Sequence, residues 1–172
     1  MAKIILWVKK TADRQILAKY IMKMCEKLGR RMRHAGKAAL GIHIGLIYEN
    51  WTYWHRGRKV NQPLYNTQEI FMKAMWVFNQ QPDIKTVTKI SISCYDLIPG
   101  QPNQLIPGQP NQLSLLDDLQ TDKKRNLFNA LDKINDRYGE YVITPALMMG
   151  MNDLILDRVA FGGTKELEDL YY

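Results

Sequence analysis

Two segments of the sequence carry small, hydroxyl-bearing or basic residues at every second position, with large apolar residues between them. In extended strands this set would share one face. A glycine has no side chain to hold a phosphate backbone away, while serine and lysine donate hydrogen bonds to phosphate oxygens. The pattern predicts a surface that binds phosphate groups, and an ordinary polar outer face of a sheet is the alternative. The set consists of Gly41, His43, Gly45, Lys89, Ser91 and Ser93.

Residues that commonly carry catalysis or bind metals form no recognisable site. His34, His43 and His55 fall in different predicted elements, and nothing in the sequence supports a catalytic role for them. The spacings of a phosphate-binding loop, a nucleophile elbow and a zinc site are absent. Asp153 and Asp157 are one helical turn apart, without a histidine or third acid nearby. We therefore expect no catalytic residue, metal or cofactor in this chain.

The length and composition are those of an ordinary globular protein. The chain has 172 residues, 46% hydrophobic and 24% charged, which predicts one domain or one domain with a tail. Cys25 and Cys94 lie far apart in the sequence, so we expect reduced intracellular thiols. The apolar runs are far shorter than the roughly 20 residues that a membrane span needs, and we expect neither a membrane helix nor a signal peptide.

Positive charge is concentrated in the first third of the sequence. Residues 1–60 contain 14 basic residues (Lys and Arg) and 3 acidic residues (Asp and Glu). Residues 61–120 contain 3 basic and 5 acidic residues, and residues 121–172 contain 7 basic and 9 acidic residues. A basic segment of this kind favours a polyanionic partner, of which nucleic acid is the commonest. A solvated helix face with a high isoelectric point is the alternative explanation.

Hydrophobic periodicity divides the first part of the chain into six elements. Their order is the split β-α-β-β-α-β arrangement, an α+β fold with a four-stranded antiparallel sheet and two helices on one face. The other face stays open to solvent or to a partner. The elements are a strand at 3–9, a helix at 13–35 capped by Thr11 or Asp13, strands at 40–48 and 53–60, a helix from Asn66 or Thr67 that ends by Pro82, and a strand at 84–95.

Side-chain alternation assigns residues of the last predicted strand to the two faces of the sheet. Val87 falls on the open face together with Lys89, and Ile90 falls on the helix-covered face. The tryptophans are expected mainly in the core or the hairpin, although the two nearest the predicted turn, Trp51 and Trp54, could also contact a nucleic acid. The other two are Trp7 and Trp76.

An identical internal repeat follows the last predicted strand, because residues 97–104 and 105–112 both read LIPGQPNQ. Folded repeats need about 20 residues or more per unit, so the prolines and glycines predict an extended linker. A helix from Thr121 to Gly139 and a short strand at 141–144 are predicted next, and the acidic tail is expected to fray. The predicted division is a domain at 1–96, a linker at 97–120, a helical extension with a short strand at 121–163 and a tail at 164–172.

Five segments, taken in order, resemble parts of one known protein family. They read GIHIGLIY at 41–48, HRGRK at 55–59, VTKISIS at 87–93, QLSLL at 112–116 and LDKINDRYG at 131–139. Their order and spacing resemble the C-terminal part of bacterial Y-family translesion DNA polymerases of the UmuC and DinB type. The resemblance implies a little-finger domain at about 1–96, followed by a clamp-binding segment and a helix up to about residue 144.

The resemblance implies that the open face of the sheet holds DNA. In this family that face lies along the major groove of the primer-template duplex and contacts both backbones. The contacts are mostly to phosphates, so the domain can bind DNA that contains damaged bases. Family members often carry adjacent basic residues in the last strand, whereas this chain has Thr88 before Lys89, so we expect a weaker grip there. The DNA-binding residues implied are Gly41, His43, Gly45, Arg56, Gly57, Arg58, Lys59, Lys89, Ser91 and Ser93.

The resemblance also implies a contact with the sliding clamp, the β subunit. The pentapeptide that bacterial polymerases insert into a clamp pocket is similar to Gln112, Leu113, Ser114, Leu115 and Leu116. Leu116 replaces the commoner Phe, so we expect the pocket to be filled less completely. A lead-in to a helix is the alternative reading of these residues. The similar stretch that begins at Gln104, the last residue of the first repeat copy, continues as Leu-Ile-Pro, and Pro107 spoils the pattern.

Catalysis, by the same resemblance, belongs to another part of the parent protein. The palm-domain carboxylates that hold two Mg²⁺ ions precede the little finger in this family. We therefore expect this chain to be a noncatalytic, DNA-binding domain of an error-prone DNA polymerase in DNA repair and the SOS response, without a cofactor of its own. Its expected partners are primer-template double-stranded DNA and the clamp, with no membrane, in the cytoplasm at the nucleoid.

Two other functions are compatible with the sequence. The same sheet could bind another protein, with the basic patch incidental; that binding would be insensitive to salt. A sheet of this strand order could instead bind single-stranded RNA, although the open face offers glycine and serine where stacking aromatic residues are wanted.

Overall fold

The computed structural model describes residues 1–83, 85–100, 115–139 and 141–151, with the backbone alone described at 115–122. Four strands and two helices follow the predicted order, and a third helix and a short 3₁₀ turn come after them. The elements are β1 (Ala2–Thr11), α1 (Arg14–His34), β2 (Lys37–Tyr48), β3 (Tyr53–Leu64), α2 (Thr67–Phe78), β4 (Val87–Pro99), α3 (Leu115–Tyr138) and the turn Ala146–Met148.

The four strands form one antiparallel sheet in the order β1-β4-β2-β3. Helices α1 and α2 pack on each other and on one face of the sheet. Their apolar stripes, which include Leu17, Ile21 and Ile70, bury the alternate residues of the strands, such as Ile42 and Ile92. The predicted split β-α-β-β-α-β fold is confirmed, and among the described residues no helix covers the other face of the sheet.

Both helices begin at side-chain caps that the sequence predicts. The carboxylate of Asp13 accepts hydrogen bonds from the backbone N–H groups of Gln15 and Ile16, at 2.7 and 3.4 Å. The side-chain oxygen of Asn66 accepts one from the N–H of Glu69, at 2.8 Å. These bonds satisfy N–H groups that have no partner within the helix.

The two helices approach each other closely at Gly29. A Cβ atom there would lie 2.9 Å from Nη1 of Arg33 and 3.1 Å from Oγ1 of Thr67, the first residue of α2. Any side chain at this crossing would have to displace these groups, so glycine permits the close approach of the two helices.

Strand β4 departs from the predicted alternation at its start. The pairing between β2 and β4 shifts there, because Tyr48 pairs with Val87 while Ile47 pairs with Lys89. Thr88 is the extra residue, and such an irregularity turns the preceding side chain to the other face. The predicted position of Val87 on the open face is therefore wrong, since Val87 is fully buried in the core.

The region after β4 corrects two further predictions. Helix α3 begins at Leu115, so Thr121 lies inside the helix and is not its cap. No strand forms at 141–144, where Tyr141 has a positive φ of 67°. Instead, the side-chain amide of Asn135 bonds both the N–H and the C=O of Ile143, at 2.9 and 3.1 Å, which occupies backbone groups that a strand would need.

Ion pairs attach α3 to the outer surface of α1. The guanidinium of Arg33 donates two hydrogen bonds to the carboxylate of Asp132, at 2.6 and 2.8 Å, and both side chains are buried. Arg30 donates to Asp136 at 2.5 Å, at the exposed edge of this contact. The C-terminal extension therefore neutralises part of the basic surface of α1. Met148 and Met151 continue the contact by entering the core.

Candidate nucleic-acid interface

The open face of the sheet presents four rows of side chains. Paired residues of an antiparallel sheet share a face, so the register fixes each row. The face gathers the predicted residues of β2 and β4 with His55, Gly57 and Lys59 of β3. The rows, read across β1, β4, β2 and β3, are Trp7–Lys89–Ile47–Tyr53, Ile5–Ser91–Gly45–His55, Lys3–Ser93–His43–Gly57 and, without β1, Tyr95–Gly41–Lys59.

Three lysines surround the central part of this face, which contains glycine and serine residues with little or no side chain. Lys3 and Lys59 are exposed, and Lys89 is half-buried with its ammonium 4.4 Å from the ring centre of Trp7. The Nζ of Lys59 lies 3.1 Å from the carboxylate of Asp96. Between the lysines, the hydroxyl of Ser91 donates to the carbonyl of Gly45, at 3.3 Å. A large anion can approach the backbone at this centre while lysines meet it at the sides.

Two of the predicted DNA-binding residues are covered. A Cβ atom at Gly41 would lie 2.3 Å from ring carbons of Tyr95, so the tyrosine ring occupies the space above this glycine. Ser93 is also buried, with 6% of its surface exposed. In this structure both residues support the face from within and are largely covered.

The cations of β3 divide between the two sides of the sheet. Arg56 and Arg58 pair with Ile44 and Ile42, which are core residues, and therefore lie on the helix side of the strand. The guanidinium of Arg58 is 5.8 Å from the ring centre of Trp76 in α2. Because β3 is an edge strand of the described sheet, both arginines still reach solvent.

Two histidines meet in the middle of the face. The Nε2 of His43 lies 3.1 Å from the Nδ1 of His55, whose ring stacks on Tyr53 with centres 5.6 Å apart. Burial lowers the pKa of His43, and the charges of His55 and Lys3 lower it further. One ring must accept the shared hydrogen bond, so at least one of the two is neutral while the contact exists.

Sequence reasoning did not predict a role for seven residues of this face, which are Lys3, Ile5, Trp7, Ile47, Tyr53, His55 and Tyr95. It used β2, β3 and β4 but assigned no role to β1. The alternation of Lys3, Ile5 and Trp7 with Ile4 and Leu6 was visible in the sequence, but the pairing of β1 with β4 was not.

The expectation that tryptophans lie mainly in the core or the hairpin is partly wrong. Trp7 and Trp76 lie on exposed surfaces, with 56% and 53% of their surface exposed. Trp51 in the turn is exposed, whereas Trp54 packs against the core. Aromatic rings are therefore available on the open face and beside β3.

The predicted clamp-binding segment lies largely outside the described residues. Gln112, Leu113 and Ser114 are not described, while Leu115 and Leu116 are the first residues of α3. Its role in clamp binding stays a prediction. In the described ranges, no three His, Cys, Asp or Glu side chains come together as metal ligands. None of the described helices is long and apolar enough to cross a membrane.

Comparison with known proteins identifies the family. The sequence profile of the impB/mucB/samB family C-terminal domain matches residues 7–106, which contain most of the sheet and both helices that cover it. The chain belongs to the impB/mucB/samB family. The resemblance to the C-terminal part of Y-family polymerases, predicted from the sequence, is thereby confirmed.

Relatives of this impB/mucB/samB domain are longer proteins. DNA polymerase IV of Pelotomaculum thermopropionicum is 26% identical over 139 residues, which cover 80% of this chain and 32% of the relative. The putative UV-damage repair protein UvrX of Bacillus subtilis is 27% identical over 146 residues, covering 83% and 33%. The chain thus spans about a third of the length of these relatives. A solved Y-family DNA polymerase chimera, Dbh-Dpo4-Dbh, shares the fold with a TM-score of 0.50, at 14% identity over 56% of this chain and 28% of the chimera.

Proposed function

We propose that this domain holds double-stranded DNA for a lesion-bypass polymerase, through phosphate contacts along the open face of its sheet. The observation that carries the proposal is that Lys3, Lys59 and Lys89 surround a glycine- and serine-lined centre on this face. Relatives bear the names DNA polymerase IV and UV-damage repair protein, and they are about three times as long. The chemistry would then belong to the rest of the parent protein, acting in DNA repair and the SOS response at the bacterial nucleoid.

Phosphate contacts suit a polymerase that copies damaged templates, because they read no base identity. The low centre of the face lets a backbone approach, and the three lysines supply charge that is independent of sequence. Arg56 and Arg58 lie around the edge of β3 and would meet DNA that extends beyond the sheet. We expect the open-face lysines to contribute most of the binding and these arginines a smaller part.

A triple charge reversal tests the open face. Lys3→Glu, Lys59→Glu and Lys89→Glu together should remove three phosphate contacts and make the negative slope of log affinity against log salt shallower by about 2.7. The measurement is fluorescence anisotropy of a labelled primer-template duplex at about 50 and 200 mM salt, a range over which such contacts change affinity strongly.

A matched variant separates local contacts from net charge. Arg14→Glu, Arg31→Glu and Lys73→Glu make the same change in net charge at exposed residues of α1 and α2. We expect this variant to keep the salt slope of the unmodified chain. If both triple variants lose affinity equally, or neither does, the open face is not the DNA-binding surface.

We propose further that residues 112–116 tether the domain to the sliding clamp. Support comes from the resemblance of Gln112 and Leu115 to the anchors of the clamp-binding pentapeptide. Such a tether would raise the effective concentration of the polymerase at the primer end. Since Leu115 and Leu116 begin α3, binding of both would engage the first turn of that helix.

The repeat provides a control for the tether. Gln112→Ala with Leu115→Ala should weaken binding to purified clamp by at least about tenfold in calorimetry, as loss of central anchors does. Gln104→Ala with Leu105→Ala changes similar residues where the first repeat copy meets the second, and it should leave the affinity unchanged. Equal affinities for both double variants would refute the tether.

Exposed aromatic residues favour single-stranded nucleic acid as a second candidate ligand. Trp7 and Tyr53 lie in one row of the open face with exposed rings, and bases stack on such rings. Competition between the duplex and a single strand of the same sequence decides between the two. Displacement of the duplex by an equal concentration of single strand would favour the second candidate.

A further inference from the structure

A groove runs between the edge strand β3 and helix α2, on the helix side of the sheet. It encloses about 540 Å³, and the buried Ile42 forms part of its lining. Met72 and Trp76 lie one helical turn apart along one wall and are 55% and 53% exposed. Two large apolar side chains exposed side by side form an apolar patch of the kind that a binding partner covers.

The groove is basic as well as apolar. Arg58 reaches over the ring of Trp76 from the strand side, and Lys73 is exposed on the helix side. Glu69 is the acidic residue of the lining, and its carboxylate accepts a hydrogen bond from the N–H of Tyr65 at 3.4 Å. An occupant with carboxylates and large apolar side chains would complement this groove.

The C-terminal tail, residues 164–172, has this composition. It contains three carboxylates and one lysine, and its apolar residues are two leucines and the two final tyrosines. The carboxylates belong to Glu166, Glu168 and Asp169, and the apolar residues are Leu167, Leu170, Tyr171 and Tyr172. The tail therefore matches the groove in charge and in apolar character.

The connection is long enough to bring the tail to the groove. The described chain ends at Met151, which is buried in the core near α1, where Lys19 donates to the carbonyl of Met149 at 3.4 Å. Residues 152–163 span up to about 40 Å when extended. Packed helices lie about 10 Å apart, so crossing α1 and α2 takes about half of that length.

We propose that residues 164–172 bind in the groove between β3 and α2 of the same chain. The tail carboxylates lie near Arg58 and Lys73, and its leucine and tyrosine side chains cover Met72 and Trp76. Bound there, the tail shields an edge strand that would otherwise offer its backbone to other chains. This inference is independent of DNA binding.

A spin label on the tail tests the proposal in the full chain. Burial raises the pKa of Cys25, and that of Cys94 to about 12, so a cysteine introduced as Thr164→Cys is the thiol that reacts. In NMR spectra of the labelled protein, the indole N–H signal of Trp76 should lose intensity. The indole signal of Trp7 is the internal reference, because Trp7 is similarly exposed but lies on β1 at the opposite edge of the sheet.

Two variants and a dilution series complete the test. Glu166→Gln, Glu168→Gln and Asp169→Asn together should restore the Trp76 signal, while Asp153→Asn with Asp157→Asn, outside the tail, should not. The effect should be the same at all protein concentrations. Full intensity at Trp76, equal losses at Trp7 and Trp76, or a loss that grows with concentration and so indicates a second copy would each overturn the proposal.

Discussion

Single residues shape the open face, and the contact between Gly41 and Tyr95 allows a sharp test. Gly41→Ala places a methyl group where the Tyr95 ring lies, so we expect a loss of about 1–3 kcal/mol in the free energy of unfolding. Gly41→Ala combined with Tyr95→Ala should lose less than the sum of the two single variants, because the clash is gone. Urea unfolding measures the free energy of unfolding of the unmodified chain, the two single variants and the double variant. Additive losses would contradict the contact.

A second prediction at the residue scale concerns how His43 makes the stability of the domain depend on pH. The pKa of His43 is lowered in the folded chain, chiefly by burial, from an ordinary value of 6.5. The unfolded chain therefore takes up the proton first, and the stability that His43 contributes is present above pH 6.5 and lost as the pH falls through the folded pKa. His43→Gln should flatten the fall in the free energy of unfolding between about pH 7 and 5. His55→Gln should flatten it less, because burial remains; an unchanged slope in His43→Gln would contradict this assignment.

At the scale of elements, one buried ion pair makes the central contact between α3 and α1. Asp132→Ala leaves the guanidinium of Arg33 buried without its partner, so we expect a loss of about 3–5 kcal/mol, or release of α3 to relieve it. Asp136→Ala is the matched control. Its carboxylate is 41% exposed, and we expect a loss of at most about 1 kcal/mol. Hydrogen exchange of α3 amides and urea unfolding measure both effects, and equal losses would refute the central role of Arg33.

The elements also show where sequence reasoning succeeds and where it ends. Periodicity and caps located α1, α2 and the strands, because Asp13 and Asn66 act through neighbouring backbone groups. The burial of Val87 and the position of Arg58 on the helix side of the sheet depend on how strands pair, and a single chain segment does not carry that information. The partner of Arg33 lies 99 residues away in sequence, so the sequence alone does not show that α3 neutralises part of the basic face of α1. The candidate site was predicted on β2, β3 and β4, but its β1 side, including Trp7, needed the register.

At the scale of the whole molecule, one core joins the sheet to both helices and to Met148 and Met151 of the extension. A ligand on the open face should therefore stabilise the helical layer as well, since a domain of this size usually unfolds in one step. Duplex DNA at about 100 times its Kd should add about 2.7 kcal/mol and raise the melting temperature by about 5–10 °C. The variant Lys3→Glu, Lys59→Glu, Lys89→Glu should gain little at the same DNA concentration. Differential scanning calorimetry makes the measurement, with near-ultraviolet circular dichroism following the tertiary packing. Two transitions, of which DNA shifts one, would mean that the open face and the helical layer do not unfold as a unit.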